Sequence, residues 1–333
     1  MIPFPAVLPP KPILVVGGYG YRNAGDEAIL AGLLRLLGRD GVTVVSRTPA
    51  ETAARHGVKT VGIGGALPAL RGHRGVVLGG GGLFGRDMGP LGRLLPLFGL
   101  FAGAAGREVA LVGIGIDGDV PAPSARLVRA LARRATTVVV RDRESALLLA
   151  AHGIRAQRGP DLSALVPSAG RREGAKALRA SGLDPARRPV VGLCLTAVDG
   201  TLVEPVVAAV LGAVDALPGV DFCLIPMSRH PFVAAHNDEL LARRLVAVRP
   251  RLRILAGGDD PARLLGVFEA LSGAVCMRYH SLLFAERAGI PIVPIAYAEK
   301  CRHWLADHDL PPVEPTAAAI VAGLSSALGE RIA

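Results

Sequence analysis

An arginine and a histidine two residues apart, Arg278 and His280, sit inside the stretch "AVCMRYHSLLFAERAGIPIVPIAYAEK" that runs from Ala274 to Lys300. A guanidinium offers a planar fork of N–H donors that fits a carboxylate or a phosphate. An imidazole can carry a proton near neutral pH. Their surroundings say where they stand. Ala274–Met277 is an apolar, strand-like run, Ser281–Ala288 has helical spacing, and Gly289 falls where a helix C-terminus favours positive φ. The pair is therefore expected at a handover from strand to helix, where the helix N-terminus adds backbone N–H groups and partial positive charge. Arginine, imidazole and helix N-terminus together describe an anion site.

A second cluster lies near the start of the chain, in "GGYGYRNAGDEAIL". Gly17, Gly18 and Gly20 allow a sharp turn and close backbone approach to a ligand. Asn23 and Asp26 flank a predicted helix start. The stretch is not G-x-G-x-x-G in register and no Walker lysine follows, so a standard nucleotide loop is not supported. Asp26 and Glu27 have two open readings: carboxylates that answer the helix dipole, or an acid–base group at a strand's carboxyl end. Gly79–Gly82 have two as well, close approach to a ligand or room for a packed helix. Arg86 and Asp87 after those glycines, and Arg141 with Asp142, divide in the same way between site and local ion pair. His230 and His236 read as structural. His303, Trp304, His308 and Asp309 are too loosely spaced for a metal cluster and read as a surface helix.

Positioning these residues takes a regular frame. The first half alternates strand and helix: "ILVVGGY", "GDEAILAGLLRLLG", "VTVVS", "AETAARHG", "GVVLGGGGLF", an apolar helix near 88–106, "EVALVGIGID", "SARLVRALARRA", "TTVVVRD" and "RESALLLAAHG". Such alternation predicts a parallel sheet covered on both faces. The pattern lapses in the charged, Gly- and Pro-containing stretch 167–189 and then resumes. The sequence thus predicts two doubly wound, Rossmann-like α/β domains, 1–166 and 190–333, with 167–189 as linker and a cleft between them. In such sheets ligands bind at the carboxyl ends of the strands. A length of 333 residues suits two cores.

The net charge of +10 is nearly all arginine, since lysine occurs only at Lys11, Lys59, Lys176 and Lys300. The arginines are scattered, with no basic run interleaved with aromatics, so no nucleic-acid partner is expected. An anionic substrate or an anionic membrane surface fits the charge better. Cys194, Cys223, Cys276 and Cys301 form no C-x-x-C pair and read as buried free thiols in a reducing cytoplasm. The proline-rich start lacks the form of a signal peptide. The helix near 88–106 is too short to span a bilayer. A cytoplasmic protein is expected, with peripheral contact at the inner face of the membrane.

"GYGYRNAGDEAIL" resembles the opening motif of the polysaccharide pyruvyl transferase family, and "MRYHSLLFAERAGIPIVPIAYAEK" resembles its C-terminal signature. "GGGGLFGRD", "GIGID", "VVRDRES" and "IPM" with the later Asp238 match its middle elements, so the resemblance covers nearly the whole chain. It is nearest the CsaB-like branch, which pyruvylates secondary cell-wall polysaccharide for S-layer anchoring. The resemblance implies a fold like that of GT-B glycosyltransferases, phosphoenolpyruvate as donor, a sugar acceptor that is lipid-linked, and no cofactor or metal. It implies donor binding by Arg278, Arg141, Lys300 and Ser281, with His280 stabilising the leaving phosphate or moving a proton. Asp26 or Glu27 would act on the acceptor, beside loops built from Gly18, Tyr19, Gly20, Asn23, Gly80, Gly81 and Asp87. Two departures stand out. Thr196 replaces an arginine often found there, with Arg229 as a possible substitute charge, and "YAEK" replaces "YDPK". A glycosyltransferase using a nucleotide sugar and a non-catalytic anion- or polysaccharide-binding protein would fit the same architecture.

Overall fold

The computed structural model describes residues 7–85, 91–258 and 260–329. It divides into two compact units. Residues up to Tyr21 together with Gly25–Val166 form one, and Arg22–Ala24 with the chain from Pro167 onward form the other.

The first unit is built on seven parallel strands. In chain order they are β1 (Ile13–Val16), β2 (Val42–Ser46), β3 (Lys59–Gly62), β4 (Gly75–Phe84), β5 (Glu108–Ile116), β6 (Thr137–Val140) and β7 (Gln157–Arg158), arranged β3-β2-β1-β4-β5-β6-β7. The strand order reverses between β1 and β4. Both faces are buried, as the apolar runs require. Ile13 and Val15 face Leu30, Leu33 and Leu34 of helix Ala24–Leu37. Leu14 and Val16 belong to the opposite core, with Leu78, Leu111 and Leu131. Helices Pro49–His56, Leu91–Ala104, Ala122–Ala132 and Arg143–Ala150 complete the cover.

The second unit carries five parallel strands, β8 (Val190–Cys194), β9 (Asp221–Leu224), β10 (Arg253–Ile254), β11 (Gly273–Cys276) and β12 (Ile292–Pro294), in the order β10-β9-β8-β11-β12. Here the order reverses between β8 and β11. Helix Tyr279–Ala288 follows β11 and ends on Gly289 at φ 64°, the left-handed cap the sequence predicts. Helix Asp238–Val248 is capped by Asn237, which accepts a hydrogen bond from Glu239 N at 3.1 Å.

The stretch expected as a linker is not open chain. Arg171–Ala180 within it is a helix of the second unit, packed on helix Pro261–Ala270 so closely that a Cβ on Gly174 would lie 1.8 Å from the Gly266 carbonyl oxygen. Charge and glycine read as a boundary because the glycines serve a helix–helix contact. All four cysteines are free and buried. Among the described residues no helix is long and apolar enough to cross a membrane.

Candidate active site

In the second unit, Arg278 is the N-cap residue of helix Tyr279–Ala288, and His280 lies in that helix's first turn. The predicted handover from strand to helix is therefore where the pair stands, beside the β8/β11 reversal. Arg278 is not a lone cation. Its Nε and Nη2 donate to Asp238 Oδ2 and Oδ1 at 3.1 and 2.6 Å, and it also hydrogen-bonds Tyr297. Asp238 is 2% exposed and is held in turn by Ser228 N at 3.0 Å and by the Thr196 hydroxyl. Burial opposes the charge on Arg278, but the Asp238 carboxylate more than offsets it and holds the guanidinium above its ordinary pKa. The expected anion clamp is thus a neutralised, rigidly aimed fork.

His230, which the sequence leaves as structural, lies close enough to Arg278 to feel its charge. Burial lowers the His230 pKa, and His236 and Arg278 push the same way. Its Nδ1 accepts from the backbone N–H groups of Phe232 and Val233 at 3.2 and 3.0 Å. The neutral ring therefore carries its proton on Nε2, as a donor. The His280 ring meets Tyr279 edge-on, 5.4 Å between centroids. Lys300, half-buried, is the second residue of helix Glu299–Asp307.

Several expected site residues turn out to be framework. Ser281 is fully buried and donates to the Arg278 carbonyl at 2.6 Å, fixing the N-cap rather than meeting a donor. Arg229 pairs with Glu239 at 2.9 Å. Asn23 groups with the second unit, where it bridges Ser228.

In the first unit, the glycine loop after β1 is pinned to the end of β2. Arg47 N donates to the Tyr19 carbonyl at 3.1 Å, and a Cβ on Gly20, at φ 82°, would strike Ser46 Oγ at 2.3 Å. Tyr19 is 1% exposed and donates its hydroxyl to the Gly79 carbonyl at 2.7 Å. Burial raises its pKa far above the usual phenol range, and Asp26 and Glu27 add to the effect. Tyr19 and Gly20 thus tie the loop down. Gly80 is also structural, because its missing Cβ makes room for Ile29. Gly81 and Gly82 differ. A Cβ on Gly81 would lie 3.2 Å from Asp26 Oδ1, and one on Gly82 would lie 3.5 Å from Arg141 Nη2. Asp26 also lies 3.9 Å from the Cβ position of Gly18. A strip of bare backbone is therefore flanked by one carboxylate and one guanidinium.

Arg141 is buried and bonds Asp161 Oδ2 at 3.1 Å, with Asp142 Oδ2 at 3.6 Å. Asp142 also caps helix Arg143–Ala150 through Ser145 N at 2.7 Å. Arg141 is therefore a neutralised pair, not the open clamp expected. Gly115 leaves the space for it, since a Cβ there would fall 2.8 Å from Arg141 Nε. Asp161 and Gly115 escaped the sequence reading; only their place after predicted strands could have marked them. Asp87 lies outside the described residues.

Glu27 is corrected most firmly. It is 2% exposed, with its Oε2 2.7 Å from His56 Nε2 and 3.2 Å from Arg55 Nη1. Burial alone would raise its pKa; His56 and Arg55 overcome this and hold it below the ordinary 4.5. A depressed folded pKa contributes stability that is present above the unfolded value and lost as pH falls through the folded one. The urea midpoint should therefore drop as pH is lowered below 4.5, and Glu27→Gln should flatten that part of the profile. An equal acid slope in the variant would remove Glu27 from the account.

The profile of the polysaccharide pyruvyl transferase family matches residues 23–299. The chain belongs to this family. The match takes in Asn23, Asp26 and Glu27 of the first cluster, and Arg278 and His280 of the second, and ends at the first residue of helix Glu299–Asp307. No curated protein is significantly similar to the chain. Among solved structures, Anabaena Alr3699/HepE in complex with UDP-glucose is 12% identical with a TM-score of 0.62, covering 96% of this chain and 91% of that one. A UDP-GlcNAc 2-epimerase from Neisseria meningitidis is 9% identical with a TM-score of 0.65, covering 94% and 90%. The E. coli ADP-heptose LPS heptosyltransferase II is 14% identical with a TM-score of 0.54, covering 96% and 99%. At these identities the likeness establishes a Rossmann-like, GT-B-type fold and nothing finer. The fold and family expected from the motifs are thus both found.

Proposed function

We propose that this family member uses phosphoenolpyruvate to build a pyruvate ketal on a sugar of a lipid-linked cell-wall polysaccharide precursor, at the cytoplasmic face of the membrane. It would act in the CsaB-like branch, whose product anchors S-layer proteins. The family match over residues 23–299 carries this reading, and the aimed Arg278 fork at a helix N-terminus supports it. In the reaction the donor's methylene carbon gains a proton as one sugar hydroxyl bonds to C2 and gives up its own. The C2–O bond to phosphate then breaks, releasing inorganic phosphate, and a second hydroxyl bonds to C2 while losing its proton. Donor binding is assigned to Arg278, the first turn of its helix and Lys300, with His280 at the leaving phosphate. Asp26 is assigned to proton transfer at the acceptor. No cofactor is invoked.

The test is phosphate release from phosphoenolpyruvate with a panel of synthetic lipid-linked disaccharides. The expected result is acceptor-dependent release with a product heavier by a pyruvyl ketal. Thermal stabilisation by UDP-sugars, with no release from phosphoenolpyruvate, would replace this reading with transfer from a nucleotide sugar. Ligand binding without turnover of either donor would leave a polysaccharide-binding protein.

A further inference from the structure

The first unit holds an apolar cavity of about 420 Å³ that the proposed chemistry does not use. Val16 and Gly17 line it at the end of β1. Its outer wall consists of Ile63, Leu67, Leu94, Leu97 and Phe101, which are 45%, 56%, 57%, 47% and 56% exposed. Single exposed apolar side chains need no explanation, but five large ones around one opening make a patch. The sequence reading of the apolar helix near 88–106 noted only that it is too short to span. As folded, Leu91–Ala104 has 14 residues, about 21 Å of helix. It can lie along a bilayer surface but cannot cross one.

Charge favours one partner. Between Glu51 and Glu108 the chain has a single acidic residue, Asp87, against Arg55, Lys59, Arg71, Arg74, Arg86, Arg93 and Arg107. Arg55 is taken up by Glu27. Arg71 and Arg93 are exposed, on the segment just after Leu67 and on the helix that carries Leu94. An apolar face with the exposed Arg71 and Arg93 on the segments that form it complements a surface with negative headgroups above hydrocarbon.

We propose that this face docks the protein on an anionic phospholipid membrane. The five wall residues enter the boundary of the acyl chains, and Arg71 and Arg93 meet lipid phosphates. The inference rests on the proposed function only for the expectation of a lipid-linked acceptor at the membrane face, and it is read without any turnover.

The experiment is co-sedimentation with vesicles of mixed phosphatidylglycerol and phosphatidylcholine, compared with phosphatidylcholine alone. Wild type should bind the mixed vesicles at least about tenfold more strongly, and salt should weaken the binding. Leu94→Glu with Phe101→Glu should lower binding by at least about tenfold. Arg71→Gln and Arg93→Gln should each lower it about fivefold at low salt. All four side chains are exposed, so an unchanged melting temperature confirms that the variants fold. Absent binding by wild type would overturn the proposal, as would full binding by the Leu94/Phe101 variant. A wild-type dimer that this variant breaks, without lipid binding, would assign the face to a second copy instead.

Discussion

Replacing Asp238 with alanine is expected to destabilise the protein by about 3–5 kcal/mol, more than replacing Arg278 with alanine does. The asymmetry follows from the two titrations. A buried carboxylate that loses its arginine can take up a proton and become neutral. A buried guanidinium that loses its carboxylate cannot shed its proton and stays an unpaired charge. Asp238 is 2% exposed and holds Nε and Nη2 of the guanidinium, so little solvent is at hand to soften the loss. Turnover behaves differently. Under the proposed function either single change should reduce it by at least about 10²–10³-fold, because the donor's anion loses a preorganised partner. Arg278→Lys should also fail, since an ammonium cannot reproduce the bidentate bond. The decisive variant is Arg278→Met with Asp238→Leu. Removing both charges together should restore most of the stability and none of the turnover. Urea unfolding and phosphate release measured on the same four proteins separate these effects. Wild-type turnover in the double variant would leave the pair a purely structural bridge.

The frame was readable from periodicity alone. "ILVV", "VTVVS" and "TVVV" lie on strands buried on both faces, and such strands read as unbroken apolar runs. The placement of Arg278 and His280 was readable because Gly289 ends a helix that must then begin just after the apolar run. What a residue does once placed was harder to read. Arg278 looked like an open cation, and Arg141 like either a site residue or a local pair with Asp142, because their buried partners are distant in sequence, Asp238 lying 40 residues away and Asp161 20 residues away. Pairing across that separation depends on which strand ends the sheet order brings together, and local pattern carries no such information. The glycines show the same limit. Gly80 and Gly81 are adjacent and both have positive φ, yet a Cβ on Gly80 would strike Ile29 at 1.8 Å while one on Gly81 would lie 3.2 Å from Asp26 Oδ1. Only the packed helix distinguishes them.

Asp26 and Glu27 give the sharpest case, and their variants should separate cleanly. Side chains of neighbouring residues on a helix point about 100° apart, and here one carboxylate faces the core while the other does not. Glu27 is held by His56 and Arg55 in the interior. Asp26 is partly exposed and lies against the bare backbone of Gly81 and Gly18. Glu27→Ala should cost about 3–5 kcal/mol, because it strands Arg55 and His56 without their carboxylate. The fraction that still folds should turn over within about threefold of wild type, since Glu27 touches neither substrate under the proposed assignment. Asp26→Asn should do the reverse. The amide keeps the shape and much of the hydrogen bonding, so the melting temperature should hold. The rate constant for acceptor-dependent phosphate release should fall by about 10²–10⁴-fold, the range for losing a general base. Donor KM should barely move, and the acid limb of the pH–rate profile should vanish with the carboxylate. A stable Asp26→Asn enzyme with normal turnover and an intact acid limb would show that both carboxylates serve only the helix, and the acid–base group would have to be sought among His280 and His230.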